Sequence, residues 1–199
     1  MAKTITINAD KFEKALQRKQ ELENKDVEIK GAAINDALCS YSYELLKGPT
    51  KGDVLSRKGA HIVHDDLQEK FNLLDVFFAH LDDAYTGNTN VTPLLELEQE
   101  IETIKYKVTG FKISGVEENR SVILSGWKEV TTGIIKFETP KIKYSSAYLY
   151  ISELKERVQE LIDEVEMYMN GKTAPNADDN QAVMDFAEED NAFEKGKVI

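Results

Sequence analysis

Ala147, Ile151, Leu154, Val158, Leu161, Val165 and Tyr168 recur at spacings of 4, 3, 4, 3, 4 and 3. That period holds an apolar stripe on one side of an α-helix. The stretch 147–170 is therefore predicted as an amphipathic helix that needs a surface to cover. About three heptads is short for an independent coiled coil, so the expected partner is a sheet. Leu67, Phe71, Leu74, Phe78, Leu81 and Tyr85 repeat the pattern at 4, 3, 4, 3 and 4, which predicts a helix over 65–85 capped near Asp65 or Asp66. Thr92 and Pro93 open a further helix carrying Leu94, Leu97, Ile101 and Ile104. A short strand, Thr4–Ile7, precedes a surface helix over 11–24 with a narrow stripe of Phe12, Ala15, Leu16 and Leu22.

Between these helices the pattern changes to strands. Val27 and Ile29 alternate with Glu28 and Lys30, Asn35-Asp36 signals a turn, and Tyr41 and Tyr43 share a parity in Leu38–Leu46. Gly48-Pro49-Thr50-Lys51-Gly52-Asp53 is a turn, after which Val54–Ser56 restarts a strand and Gly59–His64 leads into the helix. Strands follow over 105–113, with Gly110 as a bulge, and over 121–130 and 134–139, with turns at Glu117–Asn119 and Thr131–Gly133. The expected fold is α+β: two antiparallel three-stranded units, each followed by a packing helix (βββα twice), preceded by a short strand and helix. The sequence leaves open whether the strands form one sheet or two. It places a single domain over 1–170, with sub-units 1–90 and 91–170 as an option, and an acidic flexible tail over 171–199.

Charge narrows the function classes. The chain holds 36 acids against 25 bases, a net of −11, with 41% hydrophobic residues, enough for a core. No apolar run approaches the ~18 residues of a membrane span, and the opening lacks a signal-peptide apolar stretch. The lone Cys39 rules out an intrachain disulfide and fits a reducing compartment, so a cytoplasmic protein is expected. Residues 103–145 stand apart, with eight bases against four acids. There Lys105, Lys107, Lys112, Arg120, Lys128 and Lys136 interleave with Tyr106 and Trp127. Single-stranded nucleic acid needs both groups, cations for phosphates and aromatic faces for unpaired bases. These eight residues are the expected nucleic-acid surface, although alternating strands also bury aromatics and expose lysines for purely structural reasons. In the tail, Phe186 and Phe193 among acids form a candidate partner-docking motif.

Other constellations carry less. His61-x-x-His64-Asp65-Asp66 looks ligand-like, yet His80 is too far along one straight helix to join it, and acids at a helix start serve as caps. Gly48–Gly52 lacks phosphate-loop spacing, and Pro49 removes a donor. Cys39 has no neighbouring base. No catalytic residue, metal site or cofactor is expected, and the protein is read as non-enzymatic.

Val108–Gly115, Ile123–Gly126 and Glu138–Pro140 carry a resemblance, over 26–170, to small uncharacterised proteins of bacteriophages and other mobile elements, especially those of gut Bacteroidetes. The acidic tail with aromatics resembles that of phage-type single-stranded-DNA-binding proteins, but here Lys195 and Lys197 follow the acids and Val198-Ile199 ends the chain. Thr4–Phe12 is similar to the first strand and helix of sliding clamps, whose helix count the rest does not follow. The function expected from the basic, aromatic segment and the tail is that of a phage-type accessory protein that binds single-stranded nucleic acid in the host cytoplasm, with a protein partner on the tail. The alternatives are an acidic inhibitor that mimics nucleic acid and a virion structural protein. Tyr148, Leu149 and Tyr168 are candidates for homo-oligomer contacts.

Overall fold

The computed structural model describes residues 25–82, 94–101, 105–116 and 119–175. The expectations for the strand and helix within 1–24, for Tyr85 and for Thr92-Pro93 lie outside these residues, as do Phe186 and Phe193 of the tail.

Alternation along β1 (Val27–Asn35) and β2 (Leu38–Leu45) produces a hairpin. Asp36 turns it with φ 56°, a left-handed conformation that short polar side chains tolerate. β3 (Val54–Ile62) returns antiparallel to β2. A second meander is built by β4 (Tyr106–Ser114), β5 (Ser121–Val130) and β6 (Gly133–Glu138). The meanders join through β1 and β4, where Gly31–Ala33 pair antiparallel with Gly110–Lys112. Gly31 permits this close approach, because a Cβ there would lie 2.6 Å from the Phe111 carbonyl oxygen. One sheet results, in the order β3-β2-β1-β4-β5-β6, with the short β7 (Ile142–Lys143) also pairing with β5.

Four helices lie among the described residues: α1 (Asp65–Asn72), α2 (Asp75–Leu81), α3 (Leu94–Ile101) and α4 (Ile151–Met169). Ile29, Tyr41, Val108, Phe111, Val122 and Leu124 of the sheet form one buried cluster with Phe71, Phe77, Phe78, Leu154, Val158 and Leu161 of the helices. The class is mixed α+β with an antiparallel sheet. The strand group β1–β3 is followed by α1, α2 and α3, and β4–β7 by α4 alone.

Three local expectations change. The single helix over 65–85 is broken at Leu73-Leu74. There the Leu74 amide bonds Phe71 O in a tightened turn, and Asp75 restarts the helix with its carboxylate on the Val108 amide, 2.6 Å away. The cap of α1 is His64, whose Nδ1 accepts from the Asp66 amide at 3.2 Å. The helix expected from Ala147 begins at Ile151, after a turn closed by the Ile151 amide on Tyr148 O. Beyond α4, Lys172 pairs with Asp66 and Glu164 at 2.5 and 2.9 Å, and Thr173 bridges to Val63. Residues 171–175 are thus held on the body.

Candidate nucleic-acid interface

Side chains alternate across a strand, so each position in the sheet belongs either to the helix-covered face or to the open face. In β5, Val122, Leu124, Gly126 and Lys128 share the covered side, whereas Ile123, Ser125 and Trp127 take the open one. The eight expected contact residues are divided by this rule.

Tyr106 and Lys128 are register partners on the covered side. Tyr106 donates to Asp82 at 2.7 Å and sets its ring edge-on to Phe78 and Phe137. Burial, with the Asp82 carboxylate beside it, pushes its phenol well above the usual range. Lys128 pairs with the same Asp82 and lies 5.4 Å from the centre of the Phe137 ring. These two residues close the edge of the core.

Four other cations meet acids. Arg120 pairs with Glu28, which also binds Lys30 at 2.7 Å, and Lys30 reaches Glu44 at 2.7 Å. Burial opposes the Lys30 charge, but its hydrogen bonds to the two carboxylates outweigh burial and raise its pKa. Lys107 contacts Asn72 and lies 3.5 Å from Asp75. Lys105 and Lys112 form exposed pairs with Glu129 and Glu138, each at 3.1 Å. Such exposed pairs contribute about 0–1 kcal/mol and exchange readily for another anion.

Trp127 and Lys136 remain. They are register partners, and Lys107 lies opposite Trp127 on the other side, so one row crosses β4, β5 and β6. Trp127 is half-buried and Lys136 exposed, and neither has a polar or ring partner among the described residues.

The sequence reading missed a groove. A cavity of about 490 Å³ runs across the open face from β3 to β5. Its floor is Gly31, Ala33, Ser40, Ser42 and Ser125, and its rims carry Arg57 and Lys58 on β3 and Lys112 on β4. Neither Arg57 nor Lys58 has an acidic partner among the described residues. The signal was present: small residues at alternate positions, Gly31 and Ala33, then Ser40 and Ser42, on the parity opposite to Ala32, Cys39 and Tyr41. A strand face without large side chains is a shallow trough.

The other constellations have structural explanations. His64 and Asp66 are occupied in the cap of α1, and burial pushes the Cys39 thiol up to about 12. No helix among the described residues is long and apolar enough to cross a membrane. Compared with known protein families, curated proteins and solved structures, the chain matches none.

Proposed function

We propose that this protein is a non-enzymatic accessory factor that binds single-stranded nucleic acid across the open face of its sheet. The observation that carries the reading is the groove rimmed by Lys58 and Lys112, with Trp127 and Lys136 beside it on the same face. A strand of nucleic acid along this face would place phosphates on Lys58, Lys112 and Lys136 and offer a base to the half-buried Trp127. The small-residue floor leaves room for a sugar–phosphate backbone. Lys112 reaches a phosphate by releasing the exposed Glu138. Arg120, Lys107 and Lys128 sit in less exposed ion pairs, so the reading rests on them least.

Trp127 is the sole tryptophan, so its fluorescence reports binding directly. An oligothymidylate should quench it at low salt, with an affinity that falls steeply as salt rises. Trp127→Phe should retain most of the affinity, and Trp127→Ala should lose ~1–3 kcal/mol with an unchanged melting temperature. A wild-type protein that binds no oligonucleotide at low salt refutes the reading, as does a Trp127→Ala variant that loses only stability.

A second reading has an observation of its own. Lys105, Lys107, Lys112, Arg120 and Lys128 are all matched by acids, which leaves the −11 of the chain dominant. On this reading the protein is an acidic inhibitor that occupies the nucleic-acid site of a basic partner. It would displace an oligonucleotide from that partner and bind none itself.

A further inference from the structure

β3 ends the sheet, and its outer edge is unpaired from Val54 to Lys58 among the described residues. The Leu45 amide bonds Asp53 O at 3.0 Å, so Asp53 directs its carbonyl toward β2. The unbroken register from Val54 to Lys58, opposite Glu44 to Ser40, then turns the N–H and C=O of Val54, Ser56 and Lys58 outward. Leu55 and Arg57 direct theirs to β2. A row of outward backbone groups is a template for another strand. The chain itself shows the polarity this edge accepts. At the far end of β3 the Ile62 carbonyl accepts from the Ala174 amide at 2.9 Å, and Thr173 pairs antiparallel with Val63.

The side chains on this stretch select the occupant. β3 carries Arg57 and Lys58 and contains no acid, and neither cation meets an acid among the described residues. Being consecutive, the two extend to opposite sides of the sheet. Val54 and Leu55 are exposed apolar side chains, again one to each side. A second β3 laid against the first offers the cations no acid in any register, because the strand has none. An extended segment with two consecutive acids faces both cations at once, and opposite charges across strands stabilise pairing. Run antiparallel, its next residue falls opposite Ser56, and the two after that fall opposite Leu55 and Val54.

We propose that the outer edge of β3 docks an acidic extended peptide of a partner protein, which adds as an antiparallel strand from Lys58 to Val54. Backbone hydrogen bonds to Ser56 and Lys58 supply the affinity, and the acid pair against Lys58 and Arg57 supplies the choice of partner. Lys58 also borders the proposed nucleic-acid face, but the inference does not rest on that reading. The groups that define it are backbone amides and carbonyls at the edge, and its test uses no oligonucleotide.

The test is amide hydrogen exchange on the full chain, at low salt, with a synthetic peptide capped at both ends. Its sequence is two aspartates, a threonine and two valines, flanked by serines. Without peptide, the amides of Ser56 and Lys58 should exchange near open-chain rates. With millimolar peptide they should exchange at least ~10-fold more slowly, while those of Leu55 and Arg57, bonded to β2, change little. Replacing the threonine by proline removes the N–H that meets Ser56 O and should abolish the slowing. Lysines in place of the aspartates should abolish it too. The variant Arg57→Glu with Lys58→Glu should reverse the preference and take the lysine peptide. No slowing with the aspartate peptide overturns the proposal. Slowing that survives the proline overturns strand addition, and equal slowing by the lysine peptide overturns the acidic partner. Protection of Ser56 and Lys58 before any peptide is added also overturns it. That result assigns the edge to a second copy where it grows with protein concentration, and to the chain itself where it does not.

Discussion

Asp75 holds the break between α1 and α2 and should give the stability a pH dependence of unusual sign. Its Oδ1 accepts the Val108 amide at 2.6 Å, and Lys107 Nζ lies 3.5 Å from the other oxygen. Burial pushes its carboxyl up to about 6, against the pull of the Val108 hydrogen bond and Lys107. The folded protein thus holds a proton that the unfolded chain releases near the ordinary 3.8. Below that value both states are protonated, and the contribution of this group to stability is fully present. Between 3.8 and about 6, folding takes up a proton, so stability falls as pH rises, and above about 6 the loss is complete. Roughly two units at about 1.4 kcal/mol each set an upper bound near 3 kcal/mol. Asp75→Asn keeps an acceptor for Val108 and cannot ionise. Its melting temperature relative to wild type should start near zero at acid pH, rise between 3.8 and about 6, and plateau up to about 6–12 °C higher. Differential scanning calorimetry of both proteins across this range makes the comparison, and the subtraction cancels the other carboxylates. A difference that does not vary with pH, or a variant less stable at neutral pH, would refute the reasoning.

Further outcomes follow from single contacts. Tyr168→Phe removes the hydrogen bond to His61 O, 2.7 Å long, and should cost about 0.5–1.5 kcal/mol in urea unfolding with the fold unchanged. Gly126→Ala would drive a Cβ into the Lys107 carbonyl oxygen across the β4–β5 ladder, and should destabilise by more than the ~1–3 kcal/mol of ordinary overpacking; a neutral result would mean that β4 shifts freely. Cys39, buried and with its thiol pushed up to about 12, should resist alkylation at mildly alkaline pH until the protein is unfolded, and mass spectrometry of the labelled chain reads this.

What was legible in the sequence was whatever local periodicity decides. The α4 stripe was read from spacing alone because Leu154, Val158, Leu161, Val165 and Tyr168 all face the core. Both meanders were legible from alternation and turn residues. The break at Leu73-Leu74 was not, because Asp75 is drawn to the Val108 amide, a partner 33 positions away. The full length of β3 was hidden because Arg57-Lys58-Gly59-Ala60 has little strand propensity and is extended by pairing with β2. The acid partners of the candidate site were hidden for the same reason. Counting charge along 103–145 finds a basic segment, but Glu28, Asp75 and Asp82, which neutralise Arg120, Lys107 and Lys128, come from the first half of the chain. Joining β1 to β4 carries first-half acids to second-half cations, and that juxtaposition is a property of the sheet.

Arg57 and Lys58 on β3 and Lys136 on β6, cations that meet no acid among the described residues, lie on the two strands that end the path β3-β2-β1-β4-β5-β6. Charges on edge strands have a role that requires no ligand: they block edge-to-edge association of sheets. The need is real here, because Val54, Leu55 and Ile62 on β3 and Ile134 and Ile135 on β6 are exposed. The two roles give opposite results for Lys136→Gln. If the lysine serves only to keep edges apart, oligonucleotide affinity is unchanged and the variant self-associates in sedimentation at concentrations where the wild type does not. If it meets a phosphate, affinity at low salt falls and the dependence of log affinity on log salt flattens by about 0.7 for the one counterion no longer released from a single strand. An unchanged salt slope would remove Lys136 from the proposed interface and leave the groove rim, Lys58 and Lys112, to carry it alone.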